Sequence, residues 1–227
     1  EGGTRVVPRE CVMACSMVPP LFKAASGDFI LFVDGDDWIA VDMCEKLYSA
    51  AVNEGSDLVI CDMLKVYEKT GEKKYLMEAG TEISGVLTEE KQKLAISLSA
   101  FPVCRLISRS ILIDNALFFA ENIKYEDLAV VPLYPLYAKK MSKINEALYF
   151  YNIREDSTTQ EKNNTHHFER MESAMILLNS AKKRGFYEKY REEFDYIFSV
   201  RYCFYMLRKC VDKFDDPPIE KMREISI

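Results

Sequence analysis

With 227 residues, 48% of them hydrophobic, and a formal net charge of −6, the chain can bury the core of one large domain, or of one domain with a helical appendage. The acidic balance excludes a general nucleic-acid binder, whose affinity rests on Lys and Arg neutralising phosphates; the basic run Lys182-Lys183-Arg184 reads as a solvated helix end. Seven cysteines without a Cys-x-x-Cys pair, and only two histidines, adjacent at His166 and His167, exclude a zinc ribbon and a His-rich centre and point to thiols in a reducing cytoplasm. The apolar run 128–138 is too short to cross a membrane and is interrupted by Pro132 and Pro135, and no secretory signal is visible.

Residues 1–26 have no steady periodicity. Pro19 and Pro20 should stop any earlier helix, 21–25 reads as a short turn, and Ser26-Gly27 punctuates. The run 29–33 then reads as a strand covered on both faces. Met43, Cys44, Leu47, Ala50 and Ala51 share one face of a helix over 41–53, with Gly55 in the left-handed position past its end. A second apolar strand over 57–63 completes a βαβ unit with parallel strands. Thr70-Gly71-Glu72 offers a hairpin turn, and Thr88 caps a helix running to about Leu98. Residues 101–120 are mixed, with apolar runs at Leu106-Ile107 and 111–113, and 143–151 reads as a strand. In the last third, Phe168, Met171, Met175 and Leu178 recur at helical spacing up to Gly185. A longer helix over 187–214 carries an aromatic stripe (Tyr190, Phe194, Ile197, Phe198, Tyr205), most simply a packing face and alternatively a membrane-surface or partner face, and Pro217-Pro218 end it.

The chemistry concentrates where strand 29–33 meets Asp34-Gly35-Asp36-Asp37-Trp38. Carboxylates at the carboxyl end of a buried strand lie where open α/β sheets bind ligands, and three so close repel unless a cation or donors offset them. Hard oxygen ligands of this kind suit Mg²⁺ or Mn²⁺ holding a phosphate group. The plainer alternative is an acidic turn between strand and helix.

The run Ser26-Gly-Asp-Phe-Ile-Leu-Phe-Val-Asp34-Gly-Asp36-Asp37-Trp38, with the following helix and the strand opening Asp57-Leu58-Val59, resembles the family 2 glycosyltransferases of the GT-A fold. Tyr125-Glu126-Asp127-Leu128 is similar to the family's Glu-Asp motif. Glu146-Ala-Leu-Tyr149-Phe-Tyr151 with Arg154-Glu-Asp-Ser157 is similar to its strand and exit loop. The resemblance implies an α/β fold: an incomplete GT-A-like mixed sheet with flanking helices over 1–160 and a C-terminal helical region over 161–227. It implies Asp36 and Asp34 as metal ligands, with Asp34 near the nucleotide, Asp37 assisting or else capping the helix near Val41, and Arg154 on a phosphate oxygen or on a surface loop. It implies Asp127, flanked by Glu126, as the general base for an acceptor hydroxyl, with Glu126 raising its proton affinity and a helix amino end lowering it. One of the two imidazoles could complete the metal's coordination.

The implied reaction moves a sugar with inversion from a nucleoside-diphosphate sugar, UDP favoured, with Mn²⁺ or Mg²⁺, to a glycan or lipid-linked acceptor. The setting is bacterial surface polysaccharide synthesis, in the cytoplasm or at the inner face of the membrane with peripheral association. Three departures stand against it. The recognisable match begins only at Ser26, without the family's first strand and nucleotide-binding loop, and Glu1-Gly2-Gly3 alone hints at its Asn-Gly-Gly turn. Phe101-Pro-Val-Cys-Arg105-Leu keeps a positive charge where relatives show Trp and Lys, but loses the Trp. Pro132 and Pro135 fall inside the helix expected after the Glu-Asp pair. The first departure leaves the edge of strand 29–33 open or covered by residues 1–25, and an open edge invites a homodimer. The competing expectation is therefore a truncated, non-catalytic module acting through protein–protein interaction. A metal-dependent Asp-x-Asp hydrolase lacks its further motifs here.

Overall fold

The computed structural model describes residues 11–14, 25–154 and 162–225. Strand β1 (Cys11–Ala14) runs parallel beside β2 (Phe29–Phe32), whose Ile30, Leu31 and Phe32 are buried. The edge of β2 is therefore covered by residues of the first segment, as one of the two expectations had it, and the argument for a homodimer through an open β2 edge loses its ground. The reading of Glu1–Gly3, the turn at 21–25 except Ala25, and Ser157 lie outside the described residues.

β3 (Trp38–Ile39) follows the acidic loop, then helix α1 (Met43–Glu54), whose buried Met43, Cys44, Leu47 and Ala51 form the expected face. Gly55 closes α1 at φ +62°, in the region that costs other residues steric strain. β4 (Leu58–Tyr67) turns through Gly71 into β5 (Lys73–Leu76), the expected hairpin. β6 (Gly85–Val86) precedes α2 (Glu89–Ile96), capped by the Thr88 hydroxyl accepting from the Lys91 N–H at 3.5 Å. β7 (Arg105–Ser108) leads into α3 (Arg109–Asp114), and β8 spans Lys140–Ile153, longer at both ends than its apolar core suggests.

The sheet order is β1-β2-β7-β4-β8-β3, with β5 on β4 and β6 on β8. β7 is antiparallel to both β2 and β4, so β2 and β4 run the same way with β7 between them. The βαβ expectation thus holds for direction and needs correcting for adjacency. β4 and β8 pair in parallel, but the register moves from Ile60↔Lys143 to Asp62↔Ala147, so residues 144–146 bulge out of β8. At that irregularity the side chains of Lys143 and Asp62, both buried, form an ion pair at 2.7 Å.

Pro132 and Pro135 do not interrupt one helix. They sit in the first turns of a 3₁₀ turn (Val131–Leu133) and of the short α4 (Tyr134–Tyr137), where a missing N–H costs nothing. α5 (Glu169–Lys183) buries Met171, Ser173, Ala174, Leu177 and Ala181, while Met175 is 48% exposed. The helix is where its spacing puts it, but its inner face is set by small residues that let it lie against the Glu126–Ala129 turn. The long aromatic helix is three pieces: α6 (Arg191–Tyr196), a π-helical segment (Ile197–Phe204) and α7 (Tyr205–Lys213), with α8 (Ile219–Ile225) beyond. Its buried series reads Tyr190, Phe194, Ile197, Tyr202, Met206, Cys210. The five-residue step from Ile197 to Tyr202 is the signature of the wider turn, and Tyr205, expected in the stripe, is turned outward at 39% exposure. No helix among the described residues is long and apolar enough to cross a membrane, and no disulfide joins Cys44, Cys61, Cys104, Cys203 or Cys210.

Candidate active site

The acidic loop is stretched between β2 and β8. At its far end Trp38 stacks on Phe150 of β8, ring centroids 5.6 Å apart and 5° from parallel. In the middle, the Tyr149 hydroxyl accepts the Asp34 N–H at 3.1 Å and donates to Asp37 Oδ2 at 2.6 Å. The Asn152 N–H donates to the other Asp37 oxygen at 2.8 Å, and the Asp37 N–H returns to the Asp34 carbonyl at 3.2 Å. Both Asp37 oxygens are thus engaged by β8, and α1 begins only at Met43 with Asp42 before it, so of the two roles open to Asp37 capping is not the one it takes. Burial raises the Asp37 carboxyl above the usual range, while the Tyr149 and Asn152 donors act in the opposite sense. Burial and the bond to Asp37 hold the Tyr149 proton in place well above its usual range. Tyr149→Phe removes two bonds from this loop and is expected to destabilise the chain by about 1–3 kcal/mol, read in urea unfolding. An unchanged midpoint would mean that the loop is held elsewhere.

Asp34 is half-buried and Asp36 exposed. Burial first, then the charges of Asp37, Asp36 and Glu126, push the Asp34 carboxyl up to about 6. Asp36, partly exposed, accepts from Arg154 Nη2 at 2.9 Å, so the residue after β8 reaches back to the loop after β2.

Asp127 arrives from the other side on a 3₁₀ turn, Glu126–Ala129, entered through Tyr125 at φ +62°. The strained Tyr125 backbone is held by its side chain, whose hydroxyl lies 3.1 Å from His167 Nδ1 and whose ring carries the Arg170 guanidinium 3.9 Å from its centroid. Desolvation leads and the Glu126 charge follows in pushing Asp127 up to about 7; the Leu128 N–H, 2.9 Å away, and Arg170 oppose them and lose. Of the two opposing effects weighed in the sequence, the one raising proton affinity wins.

A cavity of about 570 Å³ brings Asp34 and Asp127 together. Leu98–Val103, Tyr151, Arg170 and the π-helical segment form much of its remaining wall. Asp36, Asp37, Glu126 and Arg154 do not line it. Neither imidazole does: His167 is buried against Phe214, ring centroids 6.4 Å apart, and His166 pairs with Glu169. Arg105, fully buried, donates to the Ser99 carbonyl and so steadies the 98–103 wall from behind. Arg170 and the π segment were absent from the sequence reading; Ala174 and Ala181, one and three turns on from Arg170, were the only local hint that this helix approaches the site closely.

No three His, Cys, Asp or Glu side chains among the described residues converge into a metal cage. The candidate donor set is the carboxylate pair Asp34 and Asp36 of the acidic loop. It fits the habit of Mg²⁺, which takes one or two carboxylates and leaves the remaining positions to water and substrate phosphates. Asp34 lines the cavity, and Asp36, two residues on, is held by Arg154.

Residues 21–115 match the family model described as Glycosyl transferase family 2, a span that takes in the acidic loop and ends before Glu126 and Asp127. EpsH of Bacillus subtilis (strain 168) is 27% identical over 218 residues, covering 90% of this chain and 60% of EpsH. A poly(ribitol-phosphate) beta-glucosyltransferase of Bacillus spizizenii (strain ATCC 23059 / NRRL B-14472 / W23) is 27% identical over 135 residues, 59% of this chain and 20% of that protein. The crystal structure of S. aureus TarS 1–349 in complex with UDP superposes with a TM-score of 0.55 at 18% identity, covering 78% of this chain and 49% of that one. The chain thus spans 60% of EpsH and about half of the TarS chain. Residues 21–115, which hold the acidic loop with its strands and helix, are thus similar to glycosyl transferase family 2, and the mixed sheet is similar in fold to that of TarS.

Proposed function

We propose that the chain moves a sugar from a nucleoside-diphosphate donor, UDP favoured, to a hydroxyl of a glycan or lipid-linked acceptor, with inversion, in bacterial surface polysaccharide synthesis. The observation that carries this reading is the meeting of Asp34 and Asp127, from two motifs far apart in sequence, in one cavity. Support comes also from TarS, whose similar fold is seen with UDP and with UDP-GlcNAc, and from the poly(ribitol-phosphate) beta-glucosyltransferase. In this reading the described residues up to Arg154 belong to the GT-A portion, and those from Lys162 on to a helical region that supplies part of the cavity wall.

In this reading Asp127 is the general base. A carboxyl pushed up to about 7 and partly open to the cavity can accept a hydroxyl proton near neutral pH, where an ordinary Asp would be too weak a base. Asp34 and Asp36 face the donor's diphosphate. A bound Mn²⁺ or Mg²⁺ would neutralise charge on the departing diphosphate, and Asp34 and Asp36 would hold it. Arg154, paired with Asp36 in this structure, would with a cation held there donate to a phosphate oxygen of the donor instead. Asp37 shapes the loop through Tyr149 and Asn152, and Glu126 raises the proton affinity of Asp127.

The test is release of nucleotide from a panel of UDP-, GDP- and dTDP-sugars with Mn²⁺, with the anomeric form of the first product read by NMR. The proposal expects release from at least one UDP-sugar and inverted configuration. No release from any donor would overturn the transferase reading, and retained configuration would overturn the base assigned to Asp127.

A further inference from the structure

The chain as a whole carries a net charge of −6, yet the charged side chains lining the cavity are Lys65, Arg170, Arg201 and Arg208 against Asp34 and Asp127. Arg201, Tyr205 and Arg208 recur at steps of four and three residues, which puts them on one helical face, and all three line the cavity. Arg170 faces them from α5, its guanidinium between the rings of Tyr125 and Tyr205 at 3.9 and 4.6 Å. The stack satisfies the faces of that planar cation and fixes its plane. Its edge is less well served: Arg170 Nε is buried and has no hydrogen-bond partner among the described residues. A guanidinium whose plane two rings fix, with its Nε unpartnered among the described residues, is suited to an oxyanion, which accepts in the plane of the fork. Arg201 commits one of its N–H groups to the Leu98 carbonyl at 2.6 Å, and Arg208, 71% exposed, stands 3.4 Å from Asp212.

This strip belongs to the Asp127 side of the cavity. α5 packs against the Glu126–Ala129 turn, and the Tyr202 hydroxyl of the π segment donates to the Leu128 carbonyl at 2.8 Å. Of the residues that face the donor in the proposed reaction, Asp34 lines the cavity, while Asp36 and Arg154 do not. The wider π turn puts Tyr202, rather than Arg201, next after Ile197 in the buried series.

We propose that Arg170, Arg201 and Arg208, with Tyr205 between them, form a subsite for an acceptor glycan that carries phosphate groups. The inference rests on the reading of Asp127 as the base, which makes its side of the cavity the acceptor side. The rings of Tyr125 and Tyr205 give the sugar or polyol backbone an apolar surface, and the arginines take the phosphate oxygens.

The experiment is calorimetric titration of the whole chain with four probes: a short glycerol-phosphate oligomer, glucose 6-phosphate, maltotetraose as the uncharged chain, and UDP with Mn²⁺. Wild type and Arg208→Ala are compared. The proposal expects the oligomer to bind at least about ten-fold more tightly than maltotetraose and to lose about ten-fold in Arg208→Ala, with UDP affinity changed by less than about two-fold. The arm with glucose 6-phosphate separates sources. Tighter binding of the oligomer points to a polymer linked by phosphodiesters, and tighter binding of glucose 6-phosphate to a terminal phosphomonoester; either supports the subsite. Equal binding of charged and uncharged probes would overturn it, as would loss of UDP affinity matching the loss for the oligomer. If UDP fails to bind at all while the oligomer binds through Arg208, the anionic subsite stands and the transferase reading fails.

Discussion

Asp127→Asn is expected to lower the rate of sugar transfer by about 10²- to 10⁴-fold, the range over which a positioned acid or base contributes, while UDP binding is retained. The same change is expected to stabilise the protein, and this second effect separates a functional carboxyl from a structural one. The Asp127 carboxyl is pushed from 3.8 to about 7 in the folded chain, chiefly by burial. A raised carboxyl pKa contributes stability that is full below the unfolded value near 3.8 and is lost as pH rises through about 7. Above pH 7 the folded wild type therefore carries a charge it would hold more easily when unfolded. Asparagine never ionises, so the variant should be more stable than wild type at pH 8, by about 2–4 kcal/mol, and nearly equal to it at pH 4. Thermal unfolding at the two pH values checks this. The wild-type transfer rate should in turn rise with pH and level off above about 7, as the base deprotonates. A variant that keeps turnover, or one destabilised at pH 8, would remove Asp127 from the reaction.

Lys143→Met is expected to cost about 3–5 kcal/mol, because it leaves the Asp62 carboxylate buried without its cation. Asp62 would keep the Glu78 N–H at 2.8 Å and the Tyr75 hydroxyl, but these dipoles do not replace the ammonium group now 2.7 Å away. The pair stands where β4 and β8 change register, so the loss falls on the pairing that carries Tyr149, Asn152 and Arg154 to the acidic loop. It also borders the chain of contacts from Glu78 through Ser99 to Arg105, which holds the cavity wall. Urea unfolding measures the cost. The double variant Lys143→Met/Asp62→Asn, with no charge left buried, is expected to recover much of it. A loss below about 1 kcal/mol in the single variant would show that solvent reaches the pair and that it behaves as a surface salt bridge.

What could be read in the sequence was what short-range chemistry dictates. The apolar run 29–33, the helix with Gly55 behind it, the Gly71 hairpin and the Thr88 cap each depend on neighbours within a few residues, and each is present. β7 was not read as a strand between β2 and β4: four residues with two buried apolar side chains gain their identity only from partners distant in the chain. Asp37 follows the same logic. A helix cap and an assisting role beside the metal ligands were the local options, but its partners Tyr149 and Asn152 lie on β8. The π segment is legible only afterwards, as the five-residue step from Ile197 to Tyr202 in a series otherwise spaced by three or four. The small residues of α5 misled in a different way: large side chains drew the stripe through Met175, whereas close approach to the Asp127 turn selected Ala174 and Ala181.

The central claim is that Asp34 and Asp36 hold a nucleoside diphosphate through a divalent cation beside a cavity that contains the base. Calorimetric titration of UDP into the chain, with and without Mn²⁺, and repeated on Asp36→Ala, tests it most directly. The account predicts binding that requires Mn²⁺ and weakens at least about ten-fold in Asp36→Ala, the loss expected for one ligand of a two-carboxylate site. Binding indifferent to Mn²⁺ and unchanged in Asp36→Ala, or no binding of UDP under either condition, would contradict it.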